Sequence, residues 1–213
     1  MVKRLVAPGP PSLPLGTEQY ERRYQDQFAN VLRLYFNQIQ NVMNEVLAAQ
    51  GGKFLAFPYA AVQRTTDKTF AVNTPTLVTL NQNDFLNGCT NDGTDGIVVA
   101  QSGIYNYQFS VQFANTDAGV QTAYIWLRVN GVDVPGTGSK FDVPSKHSGS
   151  DGYLIAACNF YVELNAGDAV SMYAAVANTS VYMEAYAAQT SPFAMPSIPS
   201  VVATLSFVSA LPA

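Results

Sequence analysis

The run Ile104-Tyr105-Asn106-Tyr107-Gln108-Phe109-Ser110-Val111-Gln112-Phe113 alternates apolar and polar residues without a break. A two-residue period puts Tyr105, Tyr107, Phe109, Val111 and Phe113 on one face of an extended strand. So many large apolar side chains on one face demand a second layer to cover them, so a packed β architecture follows. Ala123-Tyr124-Ile125-Trp126-Leu127-Arg128-Val129 reads as the next strand. Asn130-Gly131 then forms a tight hairpin turn into Val132-Asp133-Val134. Further strands are expected at 69–73, 76–81, 97–101, 153–164, 169–177, 180–188 and 201–208, several of them separated by turn signals such as Asn165-Ala166-Gly167-Asp168. About eight to ten short strands with no helix between them read as an antiparallel sandwich or jelly roll.

The strand faces say more than the strand count. Leu154, Ala156, Cys158, Phe160, Val162 and Leu164 point inward, as do Val170, Met172, Ala174, Val176, Val181, Met183 and Ala185. Tyr124, Trp126, Tyr161, Tyr173, Tyr182 and Tyr186 are left on outer faces. Large aromatics are costly to leave in water and are enriched where proteins meet. They are either scattered surface residues or a subunit interface. The composition favours the interface, because only 12% of the 213 residues are charged, about half the usual share. Charge is depleted at the cores of interfaces.

Before residue 53 the period is different. Residues 1–16 carry Pro8, Pro10, Pro11 and Pro14 and suit an extended arm. Thr17 can cap a helix with Glu18 and Glu21 in its first turn, and Gly51-Gly52 supplies a stop. Over 17–52, Leu32, Phe36, Ile39, Met43 and Val46 follow the alternating spacing of a coiled-coil seam. Tyr20, Tyr24, Phe28, Val31, Tyr35, Ile39 and Val42 make a second stripe with an eleven-residue repeat. A helix apolar over so wide a face needs more than one neighbour. It packs on its own β region, or it associates with copies of itself, with or without docking on a foreign surface.

Several function classes find no support. The net charge of −4 supplies no basic stripe for nucleic acid. The start Met1-Val2-Lys3-Arg4 lacks the apolar run of a signal peptide, and no stretch of roughly 18 apolar residues is present for a membrane span. Cys89, in a polar loop, and Cys158, on an apolar strand face, read as free thiols of a protein made in a reducing compartment. His147 shares the run Lys146-His147-Ser148-Gly149-Ser150-Asp151 with serines and an aspartate, but a triad needs groups fixed by separate elements. Asn91-Asp92-Gly93-Thr94-Asp95-Gly96 resembles a calcium loop without its spacing or terminal glutamate. No phosphate loop, dinucleotide fingerprint, zinc set or nucleophile elbow occurs. Neither enzymatic activity nor a cofactor is expected.

Four segments in order carry a resemblance: Ser102-Gly103-Ile104-Tyr105, then Arg128-Val129-Asn130-Gly131, then Leu164-Asn165-Ala166-Gly167-Asp168, then Pro199-Ser200-Val201-Val202-Ala203-Thr204. Over roughly residues 69–208 this order resembles the jelly rolls of tumour necrosis factor and of the globular heads of the first complement component. It resembles more closely their bacteriophage relatives, virion proteins of marine and cyanobacterial phages. The segment Tyr20-Glu21-Arg22-Arg23-Tyr24-Gln25-Asp26-Gln27-Phe28 is similar to a leader found on other such proteins.

The resemblance implies a jelly-roll head at 53–213, preceded by the arm and the helix, and a homotrimer assembled in the host cytoplasm into the virion. On that implication Leu32, Phe36, Ile39, Met43 and Val46 form the helical seam, and the six outer aromatics form the head interface. Tyr20, Tyr24, Phe28 and Tyr35 anchor residues 1–50 to other virion proteins. The expected role is a tail or tail-appendage component whose head meets neighbouring proteins or a host-surface glycan or protein. A capsid decoration protein is the alternative. A glycan-degrading appendage enzyme is disfavoured, because such enzymes need a larger body than one sandwich domain.

Overall fold

The structure is a computed structural model that describes residues 7–15, 19–47, 57–94 and 96–211. Its contacts divide the chain into two compact units, Met1–Ala56 and Phe57–Ala213.

In the first unit, residues 7–15 run without helix or strand, as four prolines dictate. A single helix follows, α1 (Arg22–Leu47). It begins later than the sequence signals suggest. The Glu21 carbonyl accepts the first helical bond, from the Gln25 amide, while Gln19 and Tyr20 lie ahead of the helix. Tyr20 is therefore not part of the helical stripe. Thr17, Glu18 and the Gly51-Gly52 stop lie outside the described residues. Tyr24 stacks on Phe28 at 6.2 Å, and its hydroxyl donates to the Pro14 carbonyl at 3.4 Å, holding the arm against the first turns. None of the helix's described residues is buried.

The second unit is an antiparallel sandwich. Its strands are β1 (Tyr59–Arg64), β2 (Thr76–Leu77), β3 (Gln82–Asn87), β4 (Cys89–Asn91), β5 (Ile97–Val99), β6 (Gly103–Asn115), β7 (Gln121–Val129), β8 (Val132–Asp133), β9 (Ser139–Val143), β10 (Gly152–Leu164), β11 (Ala169–Val176), β12 (Val181–Met183) and β13 (Val201–Ser209). A six-stranded sheet runs β10-β6-β13-β1-β3, with β12 also paired to β6. A seven-stranded sheet runs β4-β5-β11-β7-β8, with β2 on β11 and β9 on β7. The chain crosses between sheets from β6 to β7, back by β10, and across again to β11. That crossing pattern makes the unit a jelly roll rather than a meander.

The alternation at 104–113 becomes β6, inside the six-stranded sheet between edge strand β10 and β13. Tyr105, Tyr107, Phe109, Val111 and Phe113 are all buried, facing Ile125, Leu127, Met172 and Ala174 of the other sheet. The inward faces read from β10, β11 and β12 are likewise in the core or packed against it, except Ala185, which lies beyond β12 and outside the core. At Asn130-Gly131 both residues take positive φ, 51° and 80°, the geometry of a tight hairpin turn whose twist matches its strands.

Four expectations are corrected. Residues 69–73 form no strand: Val72 makes an isolated bridge to Val176, and Lys68 just ahead of them another to Met183, because Asn73 turns the chain at φ 52° ahead of Pro75. The strand expected over 76–81 is confined to β2. The strand expected over 180–188 is confined to β12. Cys89 lies in a strand rather than a polar loop and is buried, which pushes its thiol up to about 11. Asn91 beside it can be buried because its side-chain amide donates to the Leu80 carbonyl at 3.0 Å and to Asn83 Oδ1 at 2.6 Å.

Turn 164–168 is clasped by two of the other motif segments, and the fourth is tied to the chain after β1. Asn130 Nδ2 donates to Asp168 Oδ1 at 2.7 Å, and Asn130 Oδ1 accepts from the Ala169 amide. Ser102 Oγ accepts from the Ala166 amide, and Ser200 Oγ donates to the Thr66 carbonyl at 2.7 Å. The backbone amide of Asn165 and then the Asn130 side chain hold the Asp168 carboxyl below the usual carboxylate range. The ordered motifs therefore specify the turns that close the sandwich.

Candidate functional site

The six outer aromatics divide between opposite faces. Tyr161 and Tyr182 lie outward on the six-stranded sheet, at positions paired to Asn106 and Ala114 of β6, and Tyr186 follows β12 through a bridge to Ile198. Tyr124, Trp126 and Tyr173 lie outward on the seven-stranded sheet, with Trp126 opposite Tyr173 across the β7–β11 ladder. They do not form one patch. A head interface containing all six would have to join different faces of neighbouring copies, the heterologous kind of contact by which a ring closes. Sequence alternation gives outward against inward, but not which sheet receives each strand.

The two faces differ in charge. Across β10, β6, β13 and β1, the outward positions include Tyr153, Ile155, Ala157, Tyr161, Val202, Val208 and Tyr59, with neutral polar residues between them and Glu163 as the one charged group. Tyr153, Ile155 and Tyr161 are 53%, 67% and 66% exposed on β10, which pairs only with β6 and so is an edge strand. A long edge with apolar side chains and a single charge lacks the usual protection against pairing. Phe85, 67% exposed, extends the surface onto β3, where Asp84 adds a second carboxylate that accepts from the outward Gln63 side chain. The signal missed in the sequence was Ile155 and Tyr153, which alternate with the inward residues already identified on that strand.

At one end of this face, Glu184 holds two phenols. Tyr182 donates to its Oε1 at 3.1 Å and Tyr186 to its Oε2 at 2.5 Å. Burial first, and then the Glu184 carboxylate, raise both phenols above their ordinary range. A cavity of about 330 Å3 beside them is lined by Gln112, Tyr153, Ile155, Glu184 and Tyr186.

The opposite face is polar and internally paired. Arg128 Nε and Trp126 Nε1 each donate to Asp133 Oδ1 at 2.6 Å, and the Arg128 guanidinium sits 4.0 Å from the Tyr173 ring centroid. Lys140 and Asp142 pair at 3.5 Å. The hydrogen bond to Asp133 holds Arg128 above its ordinary value, and the bonds from Arg128 and then Trp126 hold Asp133 below its own.

On α1 the seam residues Phe36, Met43 and Val46 are exposed, while Leu32 and Ile39 are half-buried. Of the second stripe, Tyr24, Phe28 and Tyr35 are half-buried, and Tyr20 is exposed ahead of the helix. His147 lies in an exposed turn closed by backbone bonds to Ser150. Asp92 of the 91–96 loop accepts from Thr94, and Asp95 lies outside the described residues. Among the described residues no three His, Cys, Asp or Glu side chains are grouped to hold a metal, and no helix is long and apolar enough to cross a membrane. Cys89 and Cys158 are free.

No family model matches the sequence, and no curated protein matches it. Among solved structures the chain is similar to Eiger TNF from S. frugiperda, at 12% identity and a TM-score of 0.50, covering 75% of this chain and 97% of that one. It also aligns with the globular domain of zebrafish complement 1qA protein at 15% identity and a TM-score of 0.41, covering 73% and 99%. At these identities the first likeness shows the jelly-roll fold.

The Asp133 bonds give a pH prediction. A depressed carboxyl keeps its partners at and above the ordinary carboxylate range and loses them as pH falls through the lowered value. Trp126 is the single tryptophan of the chain, so its emission should stay constant from neutral pH to about 4 and shift only below that. Asp133→Asn should abolish the step; a step beginning well above pH 4 would contradict the assigned bonds.

Proposed function

We propose that the chain is a non-enzymatic assembly protein that works as a homotrimer, with its heads joined through the outer face of the six-stranded sheet. The observation that carries this reading is the exposure of Tyr153, Ile155 and Tyr161 on an edge strand whose one charged residue is Glu163. Four strands about 4.8 Å apart and about 35 Å long offer on the order of 700 Å2 per copy, near the ~800 Å2 each partner gives to a standard interface. The opposite face, with its cations and carboxylates paired, suits water. Three copies of α1 would bring Leu32, Phe36, Ile39, Met43 and Val46 together in a seam, leaving Tyr24, Phe28 and Tyr35 beside it to grip another protein.

The leader and head motifs resemble those of phage virion proteins, and on that resemblance the assembly is a tail or tail-appendage component. Residues 1–50 anchor it to neighbouring virion proteins, and the β heads face outward toward a host-surface glycan or protein. Three heads would raise avidity for such a surface without any new contact.

Sedimentation equilibrium at micromolar concentration should give three times the 22.9 kDa chain mass. Tyr161→Asp should weaken assembly by two orders of magnitude or more, because a buried unpaired charge costs about 3–5 kcal/mol. Tyr124→Asp, on the opposite face, should leave the mass unchanged. A monomeric parent chain, or dissociation by Tyr124→Asp alone, would overturn the interface. Chains lacking residues 1–50 should be missing from purified particles by mass spectrometry; their continued incorporation would overturn the anchor.

A further inference from the structure

We propose that the outer face of the seven-stranded sheet binds neutral, hydroxyl-rich sugar rings in a cleft between Tyr124, Trp126 and Lys140. This deepens the reading above by naming the ligand class and the residues for the face that the trimer leaves open. The register builds the cleft. Tyr124 stands opposite Lys140 on β9 and opposite Ala175 on β11, and Gly138 lies just ahead of β9. Ala175 and Gly138 are small, so the surface recedes between the larger side chains into a cleft of about 350 Å3 lined by all five. That is within the range of small-molecule sites, ~300–1,000 Å3.

The aromatic groups are set before any ligand arrives. Trp126 is fixed through its Nε1 bond to Asp133, and the Arg128 guanidinium lies 5.7 Å from its ring centroid and 4.0 Å from that of Tyr173. Tyr124 is 42% exposed at the rim. Little rotamer freedom remains to be lost at Trp126 on binding.

The charges decide the ligand. Across β7, β8, β9 and β11, the outward charged groups are Arg128, Lys140, Asp133 and Asp142, and they are paired as Arg128–Asp133 and Lys140–Asp142. Two cations cancel two carboxylates, so neither a cation nor an anion finds an excess of opposite charge. Donors and acceptors nevertheless stand side by side around aromatic rings. A pyranose matches both features, since it offers an apolar C–H face to Tyr124 or Trp126 and hydroxyls that donate and accept. An added peptide strand fits poorly, because the backbones of β7 and β11 are already bonded to neighbours on both sides.

The test is a titration of the full chain with glucose, galactose, mannose, N-acetylglucosamine, their disaccharides and glucuronate to about 100 mM, read by the emission of Trp126, with affinities of a single shallow cleft expected near millimolar. At least one sugar should give a saturable change. Tyr124→Ala should weaken it about tenfold or more, and Lys140→Ala should weaken it as well. Circular dichroism checks that each variant is folded. The proposal is overturned if no sugar gives a saturable change, if the change survives in both variants, or if only glucuronate, an anionic sugar, produces it. Sedimentation of the same samples separates the two readings: a trimer that ignores every sugar loses only this site, and a monomer that binds loses only the trimer.

Discussion

The burial of one face of β6 between two sheets is the constraint on which the rest depends. Five large side chains from Tyr105 to Phe113 leave water together, and doing so fixes β6 inside one sheet, between β10 and β13, and sets β7 and β11 across from it. A slip of one residue would turn every one of them outward, so the register of β10 and β13 on β6 is strongly specified. The same alternation dictates the other side of the sheet. Once the inward positions are apolar, the outward ones become the surface, and here evolution has placed amides, hydroxyls, small residues and a few exposed aromatics instead of charges.

Ordinary soluble sheets keep water on the outer face by alternating apolar with charged residues. The seven-stranded sheet of this protein follows that rule with Arg128, Asp133, Lys140 and Asp142. The six-stranded sheet departs from it, and α1, described by itself, also exposes Phe36 and Met43 and buries none of its described residues. In the head the low charge content is most visible along β10, β6 and β13, whose outward positions carry Glu163 as their one charge. Association of copies through that face, as proposed, would account for the deficit without requiring any chemistry and would direct the polar face away from the axis.

Much of the fold was legible in the sequence because its longest strands advertise themselves. β6, β10 and β11 alternate over eight or more residues, and Asn130-Gly131 is a turn signal that few other structures satisfy. β3 and β9 were missed because their sequences, Gln82–Asn87 and Ser139–Val143, are mostly polar and become strands only by pairing with β1 and β7. The segment 69–73 misled because Phe70 and Val72 have β character, while Asn73 breaks the run. The outward aromatics were visible, but their division between faces depends on which distant strands pair, and periodicity carries no information about that. The motifs behind the family resemblance proved to be hydrogen-bonded clasps, Asn130 to Asp168 and Ser102 to Ala166. They close turns of the sandwich, so they bear on the architecture and not on the surface on which it acts.

The most direct test of the central claim is hydroxyl-radical footprinting of the native protein against the same protein dissociated by dilution or mild denaturant. If the six-stranded face is the junction between copies, Tyr153, Ile155 and Tyr161 should be protected in the native state and become reactive on dissociation, while Tyr124 reacts equally in both. Equal reactivity of Tyr161 and Ile155 before and after dissociation would contradict the account.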